Sequence, residues 1–474
     1  MTVALALLGT QIGLVWLIWR LSVVGTHEFA YRALNPFTWL CAFYTLWFLV
    51  PQVTGLFGEF HMLGMTSYRT DDLRQIFVEG QLYLILFLLA IVAAQLLMAP
   101  VLLELPGRAS LPAMLGINFS TSYSFFLYAF FAVGMAGNAY VAHLQVGNLD
   151  SFRGDIVKTL PGQAATALGY LGAFAFVYLF ARLYLKGQYV WLVILSAIFV
   201  VSLFMTGARG RMMFPLAIVA LFLLCRRGNM PVVRTVFLAA ISLCVLLALD
   251  PINKVLKFGP DTYVLTAEEF FSPLLYKRNF DGFANFSLIV SHDLVPYDVG
   301  LLKEGGRDAF MYTYFPRLYA TGVGTGSTTP GLFWFLGGWP ALMIAGMAFG
   351  MILCMLNIWL RLNRSNLLLW SYLFGMQWFC AIGGNLIESL DKMLVAMVGP
   401  LIIYLAHGRA ESRLPVPEPL LPAMPSPQVS EPEPAAEAGD EPALPPPPID
   451  AQGPGVETYG VKPATRTSVE AVMQ

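Results

Sequence analysis

Residues 250–330 read DPINKVLKFGPDTYVLTAEEFFSPLLYKRNFDGFANFSLIVSHDLVPYDVGLLKEGGRDAFMYTYFPRLYATGVGTGSTTP. This is the only long polar segment lodged between apolar runs. It carries Lys254, Lys257, Glu268, Glu269, Lys277, Arg278, Asp281, His292, Lys303, Glu304, Arg307 and Arg317, among other charges. A structureless connection of roughly 80 residues is uncommon in a compact domain, and such loops are usually functional. The stretch is therefore expected to be the working face of the protein.

Apolar runs of membrane-spanning length flank it on both sides. The chain of 474 residues is 57% hydrophobic and only 12% charged, with a mean hydropathy of +0.66. A soluble domain is nearer a quarter charged. The composition predicts an all-α, polytopic integral membrane protein with about eleven spans. The expected spans are 2–19, 36–57, 81–103, 113–135, 164–181, 189–205, 212–225 and 232–249, then 332–359, 367–382 and 394–405. Residues 137–149 are expected to be an interfacial extension of the fourth. In domain terms, residues 1–249 hold spans one to eight, 250–330 the large loop and 331–407 spans nine to eleven. Residues 408–474 form a Pro-rich tail, whose Pro, Glu and Ala content cannot bury a core.

Sidedness follows from the short loops. Arg20, Arg32, Arg108, Arg182, Lys186, Arg226, Arg227, Arg234, Arg361, Arg364, Arg409 and Arg413 fall on one side with few acids. The positive-inside rule makes that side cytoplasmic. The amino terminus and the loop 250–330 are then outside, and the carboxyl terminus inside. No cleavable leader is evident, because the first apolar run starts at Met1 without a basic region before it. The five cysteines are scattered through apolar runs without metal-ligand spacing and read as small buried hydrophobes. No metal, cofactor or nucleic-acid partner is expected.

The expected spans carry no Asp, Glu, Lys or Arg near their middles, which argues against an ion-driven pump. Charge gathers at helix ends and in the long loop. Thr206-Gly207-Ala208-Arg209-Gly210-Arg211 puts two arginines in a short outer turn. Arg offers a planar fork of donors that matches phosphate oxygens, and snorkelling anchors are the alternative reading. Arg278 and Asp281 stand three apart, as an acceptor or phosphate site or as a surface ion pair. Phe315-Pro316-Arg317 leads into Gly322 to Pro330, a glycine- and threonine-rich run that suits a backbone nest for an anion. His292 is the one imidazole in the loop and reads as a base or as a structural residue. Asp71-Asp72 lies on the outer face, where nucleotide donors are absent. Transfer chemistry there needs a donor already in the membrane, and a lipid diphosphate fits.

An arginine turn after a middle span precedes the large outer loop, with an Arg early and a Pro-Arg late. Gly326-Ser327-Thr328-Thr329-Pro330 then enters an aromatic, Gly-Gly-bearing helix, Gly331 to Trp339. This pattern resembles the Wzy-type O-antigen and exopolysaccharide polymerases, over roughly 202–351. The resemblance implies a metal-independent glycosyltransferase of the bacterial inner membrane. It would polymerise undecaprenyl-diphosphate-linked oligosaccharide repeat units at the periplasmic face, with a chain-length regulator and a flippase as candidate partners beside membrane lipid. It assigns Arg209 and Arg211 to the diphosphate, Arg278 to donor or acceptor, and Arg317 to the second phosphate or a sugar carboxylate. His292, Asp281 and Glu304 compete as general base. An O-antigen-ligase-like transferase is the second enzyme reading. A lipid-linked oligosaccharide flippase and a scaffold acting through the tail are readings from other classes.

Overall fold

The computed structural model describes residues 2–24, 29–57, 70–104, 122–147, 159–206, 209–226, 282–291 and 328–362, with positions between 372 and 405. These residues are helical and contain no strand. In chain order the helices are α1 (Thr2–Ser22), α2 (Phe29–Leu34), α3 (Pro36–Tyr44), α4 (Val50–Phe57) and α5 (Thr70–Glu104). Then come α6 (Ser122–Gly147), α7 (Leu160–Leu185), α8 (Tyr189–Thr206), α9 (Arg209–Arg226), α10 (Gly282–Ser291), α11 (Thr329–Phe335) and α12 (Gly338–Leu362). Five stretches are long and apolar enough to cross a membrane: Thr2–Ser22, Ile76–Leu103, Phe125–Leu144, Leu160–Leu185 and Gly338–Leu362. The protein is an all-helical, multi-pass membrane protein.

The helix starts are written in local sequence. The Asn35 side chain accepts from the Phe37 amide at 2.9 Å, with Pro36 opening α3. Thr159 caps α7 by accepting from Gly162 N at 3.2 Å, and Thr328 caps α11 by accepting from Gly331 N at 3.0 Å. Each cap satisfies an amide that the first turn leaves without a partner, and a proline in that turn has no amide to satisfy. At the other end of α7, Gly187 takes φ 69°. That left-handed conformation favours glycine, and it lets the chain turn back into α8.

Between α3 and α4 the helix widens to a π turn, Thr45–Leu49, where the Val50 amide donates to the Thr45 carbonyl five residues back. An α-helix turns about 100° per residue and a π-helix about 80°, so five π residues hold back roughly a quarter turn. That rotation sets Tyr44 and Gln52 on the same face, eight positions apart.

Contacts fix the helix directions. Gln81 of α5 bonds to Ala4 O of α1, and Gln95 to Ile18 O, so α1 and α5 run parallel. Cβ atoms built on Gly346 and Gly350 of α12 would lie against Ala90 and Ala94 of α5 in turn, so α12 is parallel to both. Small residues let these backbones approach closely, as in other membrane helix pairs. α3 and α4 return in the opposite sense between them. A second group holds α6 to α9. There Gly134 meets Gly172 and Gly137 meets Ala165 in the antiparallel α6–α7 pair. The rings of Phe176 and Phe199 stack at 3.9 Å between α7 and α8. The end of the bundle where α1 starts is its near end, and the end where α1 finishes is its far end.

Two expected spans differ from the observed helices. The sequence predicts the fourth over 113–135, with 137–149 interfacial. The helix instead runs Ser122–Gly147, and its apolar part is Phe125–Leu144. The seam with α7 passes through Gly134 and Gly137, and Asn138 is fully buried; packing, not the apolar run alone, sets the position. The ninth is expected within 332–359, with Gly337-Gly338 near its start. It is broken after Phe335, and Gly338 takes φ 66°. The eighth expected span, 232–249, lies outside the described residues, as does the tail 408–474.

Candidate functional site

Two short helices are wedged into the bundle near α1's start. α10 comes from inside the polar stretch 250–330, yet Gly282 to Val290 are all buried. Its Phe283 ring meets Phe77 of α5 edge-on at 4.8 Å. A Cβ on Gly282 would lie 3.0 Å from the Trp47 carbonyl in the π turn. α11 lies beside it, with every residue from Thr329 to Phe335 buried. A Cβ on Gly331 would lie 2.8 Å from Ile289 of α10, and Trp334 meets Tyr83 edge-on at 4.4 Å. The Thr329 amide donates to Ile382 O at 3.0 Å. Ten and seven residues are too short to cross a core of about 30 Å. These helices therefore plug the near half of the bundle.

The described part of the glycine- and threonine-rich run 322–330 is its last residues. There the Thr328 hydroxyl and the Gly331 amide serve each other as a helix cap. Arg209 opens α9 immediately after α8 ends at Thr206. Gly207 and Ala208, and the Arg209 and Arg211 side chains, fall outside the described residues. Arg278, Asp281, His292, Glu304 and Arg317 lie outside the described residues altogether.

The spans carry a polar interior that reasoning from charge passes over. Gln11, Gln52 and Gln81 are fully buried. The Tyr44 hydroxyl donates to Gln11 Oε1 at 2.7 Å and Gln52 Nε2 donates to the same oxygen at 2.8 Å. Gln81 Nε2 donates to Gln52 Oε1 at 2.9 Å and to Ala4 O at 3.1 Å. The network ties α1, α4 and α5 through neutral groups. Glutamine inside an apolar run is the available signal, but pairing it needs the π turn.

At the far end a second polar node closes the bundle. Arg361 of α12 is 5% exposed. Its Nε donates to the Tyr31 hydroxyl at 2.8 Å and its Nη1 to Leu102 O at 2.8 Å. Leu102 belongs to the last turn of α5, whose carbonyls lack partners within the helix. The guanidinium also lies over the Tyr31 ring at 5.2 Å. Tyr31 in turn donates to Asn357 Oδ1. Burial holds the Tyr31 hydroxyl above its ordinary pKa, against the opposing pull of Arg361 and Asn357.

Among the buried polar atoms without a hydrogen-bond partner are the Ser287 hydroxyl of α10, the Trp334 indole N–H of α11 and both amide atoms of Gln377. Among the described residues no group of three His, Cys, Asp or Glu side chains could hold a metal ion. Comparisons of the chain with known protein families, with curated proteins and with solved structures find no match.

Proposed function

We propose that this chain is a metal-independent glycosyltransferase of the bacterial inner membrane that polymerises undecaprenyl-diphosphate-linked oligosaccharide repeat units at the periplasmic face. The observation that carries the reading is α10. From within the polar stretch, α10 enters the near half of the bundle with Gly282 to Val290 all buried. The reading takes α6 to return across the membrane from the α5 exit. Arg209, at the start of α9, then stands at the same end as α10 and α11.

In this reading an acceptor hydroxyl attacks the anomeric carbon of the donor glycan. The new glycosidic bond forms as the bond to the diphosphate oxygen breaks. The acceptor proton passes to a base, for which His292, Asp281 and Glu304 are the candidates, and a base must come within hydrogen-bond reach of that hydroxyl. Undecaprenyl diphosphate leaves with its charge neutralised by Arg209 and Arg211, while Arg278 and Arg317 hold the remaining anionic or sugar groups. The neutral interior of the spans supports this reading over a flippase: the glutamine network buried there is built from amides and a hydroxyl bonded to one another, not from charges lining a path.

The test is the lipid-linked glycan pool of a deletion strain. Single repeat units on the carrier with polymer missing are the expected result. Long lipid-linked polymer left untransferred would instead identify a ligase. An unchanged pool would refute the glycan reading.

A further inference from the structure

Among the described residues, Glu79 of α5 is the one Asp or Glu whose side chain is described. Hydropathy puts the third span at 81–103 and leaves Glu79 in the loop before it. The apolar helix instead begins at Ile76 and takes Glu79 in, half-buried. An ionisable side chain is costly in a membrane span and as a rule marks a functional site. Contacts fix its depth. Gln81 bonds to Ala4 O, so Glu79, two residues earlier, is level with the start of α1. A Cβ on Gly346 of α12 would lie against Phe87 and Ala90 of α5. Eight residues back along both parallel helices, Gly338 comes level with 79–82. Both α1 and α12 therefore begin about where Glu79 stands, while α5 runs on for nine residues to Thr70, roughly 13 Å. Glu79 sits where this projecting part of α5 leaves the bundle. Helical side chains tilt toward the amino end, which on α5 is toward the near end.

The neighbours of Glu79 are those of the wedge. Gly80, the next residue, lies under Ser287 of α10, and Phe77 meets Phe283 of the same helix. Tyr83 stands four positions on, along the same face of α5 as Glu79, and meets Trp334 of α11. The turn from α11 into α12, at 336–338, arrives at the level of Glu79. The carboxylate is thus placed at the mouth of the wedge, one helical turn outside the Tyr83–Trp334 pair. It is carried by a helix that packs on α1, α10 and α12, and such an element holds a reacting group more precisely than a loop does. An ionised carboxylate accepts hydrogen bonds and donates none. It therefore suits a sugar hydroxyl and repels a diphosphate, which leaves the diphosphate to the arginines.

We propose that Glu79 is the general base of the transfer, in place of His292, Asp281 and Glu304. This deepens the proposed function and rests on it. As the acceptor oxygen bonds to the anomeric carbon, its proton passes to the Glu79 carboxylate. The bond from that carbon to the diphosphate oxygen breaks, and its electron pair leaves with undecaprenyl diphosphate. Water at the near end then takes the proton from Glu79. A carboxylate that only neutralised the amino ends of α1 and α12 would act on stability and not on turnover.

The full-length protein in detergent is supplied with lipid-linked repeat units extracted from the strain. Polymer formation gives kcat and KM, and melting temperature is measured beside them. Wild type is expected to form polymer. Glu79→Gln keeps the size of the side chain but cannot take the proton. Its kcat should fall at least about a hundredfold, the scale of general-base catalysis, with KM and melting temperature as in wild type. Glu79→Asp keeps a carboxylate on a shorter arm, and its kcat should stay at least about tenfold above that of Glu79→Gln. Wild-type turnover in Glu79→Gln overturns the assignment and leaves the polymerase reading standing. So does an equal loss in the two variants, or a loss carried by KM or by a lowered melting temperature. Absence of polymer from wild type overturns both.

Discussion

The Nε of Arg361 donates to the Tyr31 hydroxyl at 2.8 Å, across 330 residues of chain. The bond ties the short helix after the first span to the end of α12. The same guanidinium reaches Leu102 O at the end of α5, so one buried cation joins three elements through neutral partners. Its compensation comes from a hydroxyl, a carbonyl and an aromatic face.

Removing either partner strands the other. Tyr31→Phe leaves both Arg361 Nε and Asn357 Oδ1 without their bond and should lower stability by about 1–3 kcal/mol. Arg361→Ala also uncovers the α5 carbonyl and should cost at least as much. Thermal unfolding in detergent reads both, and a double-mutant cycle should show coupling between them.

Tyr31 makes stability depend on alkaline pH. Its folded pKa lies above the ordinary value because burial disfavours the phenolate. Above pH about 10 an unfolded tyrosine releases its proton while the folded one keeps it. The native state then binds more protons, so this contribution is fully present below pH about 10 and is lost as pH rises through the folded value. The alkaline fall in melting temperature should begin at lower pH in wild type than in Tyr31→Phe.

The glutamine network predicts a local loss at the near end. Gln11→Leu removes the acceptor shared by Tyr44 and Gln52. Hydrogen bonds between membrane helices are worth about 0.6 to 2 kcal/mol each, so the variant should lose roughly 1–3 kcal/mol. Cysteine accessibility at the start of α1 should rise as that helix loosens from α5.

Close helix contact at Gly172 leaves no space for a side chain. A Cβ there would lie 2.7 Å from Gly134 Cα and 3.1 Å from Met135 Cε. Gly172→Val should separate α6 from α7 and cost about 1–3 kcal/mol or more, seen as lower yield and melting temperature. The same change at Gly13, which has nothing within 4 Å, should be tolerated.

Arg209→Ala and Arg278→Ala are expected to abolish polymer while protein levels stay unchanged. Immunoblotting of membranes beside a polymer gel measures both quantities. Full polymer in both variants would remove the arginines from the site.

How much of the fold is legible in the sequence varies with the physics at each place. The starts of α1, α3 and α8 fall where the apolar runs beginning at Thr2, Pro36 and Tyr189 put them, because solvation is local. α10 escapes a sequence reading because ten apolar residues inside a charged stretch fall below any span length. Its burial comes from partners such as Phe77 and Trp47 that are distant in sequence. Gln52 cannot be matched to Gln11 and Tyr44 from an α-helical count, since the π turn shifts the register. The loop residues proposed for catalysis depend on their chemistry in the sequence alone.

The parallel course of α1, α5 and α12 has an electrostatic consequence. Peptide dipoles along a helix sum to about half a positive charge at its amino end and half a negative one at its carboxyl end. Neighbours in an up-and-down bundle cancel this, but α1 and α12 both pack in parallel on α5, so three amino ends lie together against the single opposing end of α4. The near end thus gains a positive field from backbone alone, before any side chain is counted. At the far end, Arg20 in the last turn of α1 and Arg361 in the last turn of α12 lie against the negative ends. An anion approaching from the near side meets an attractive potential that mutation of arginines would not erase.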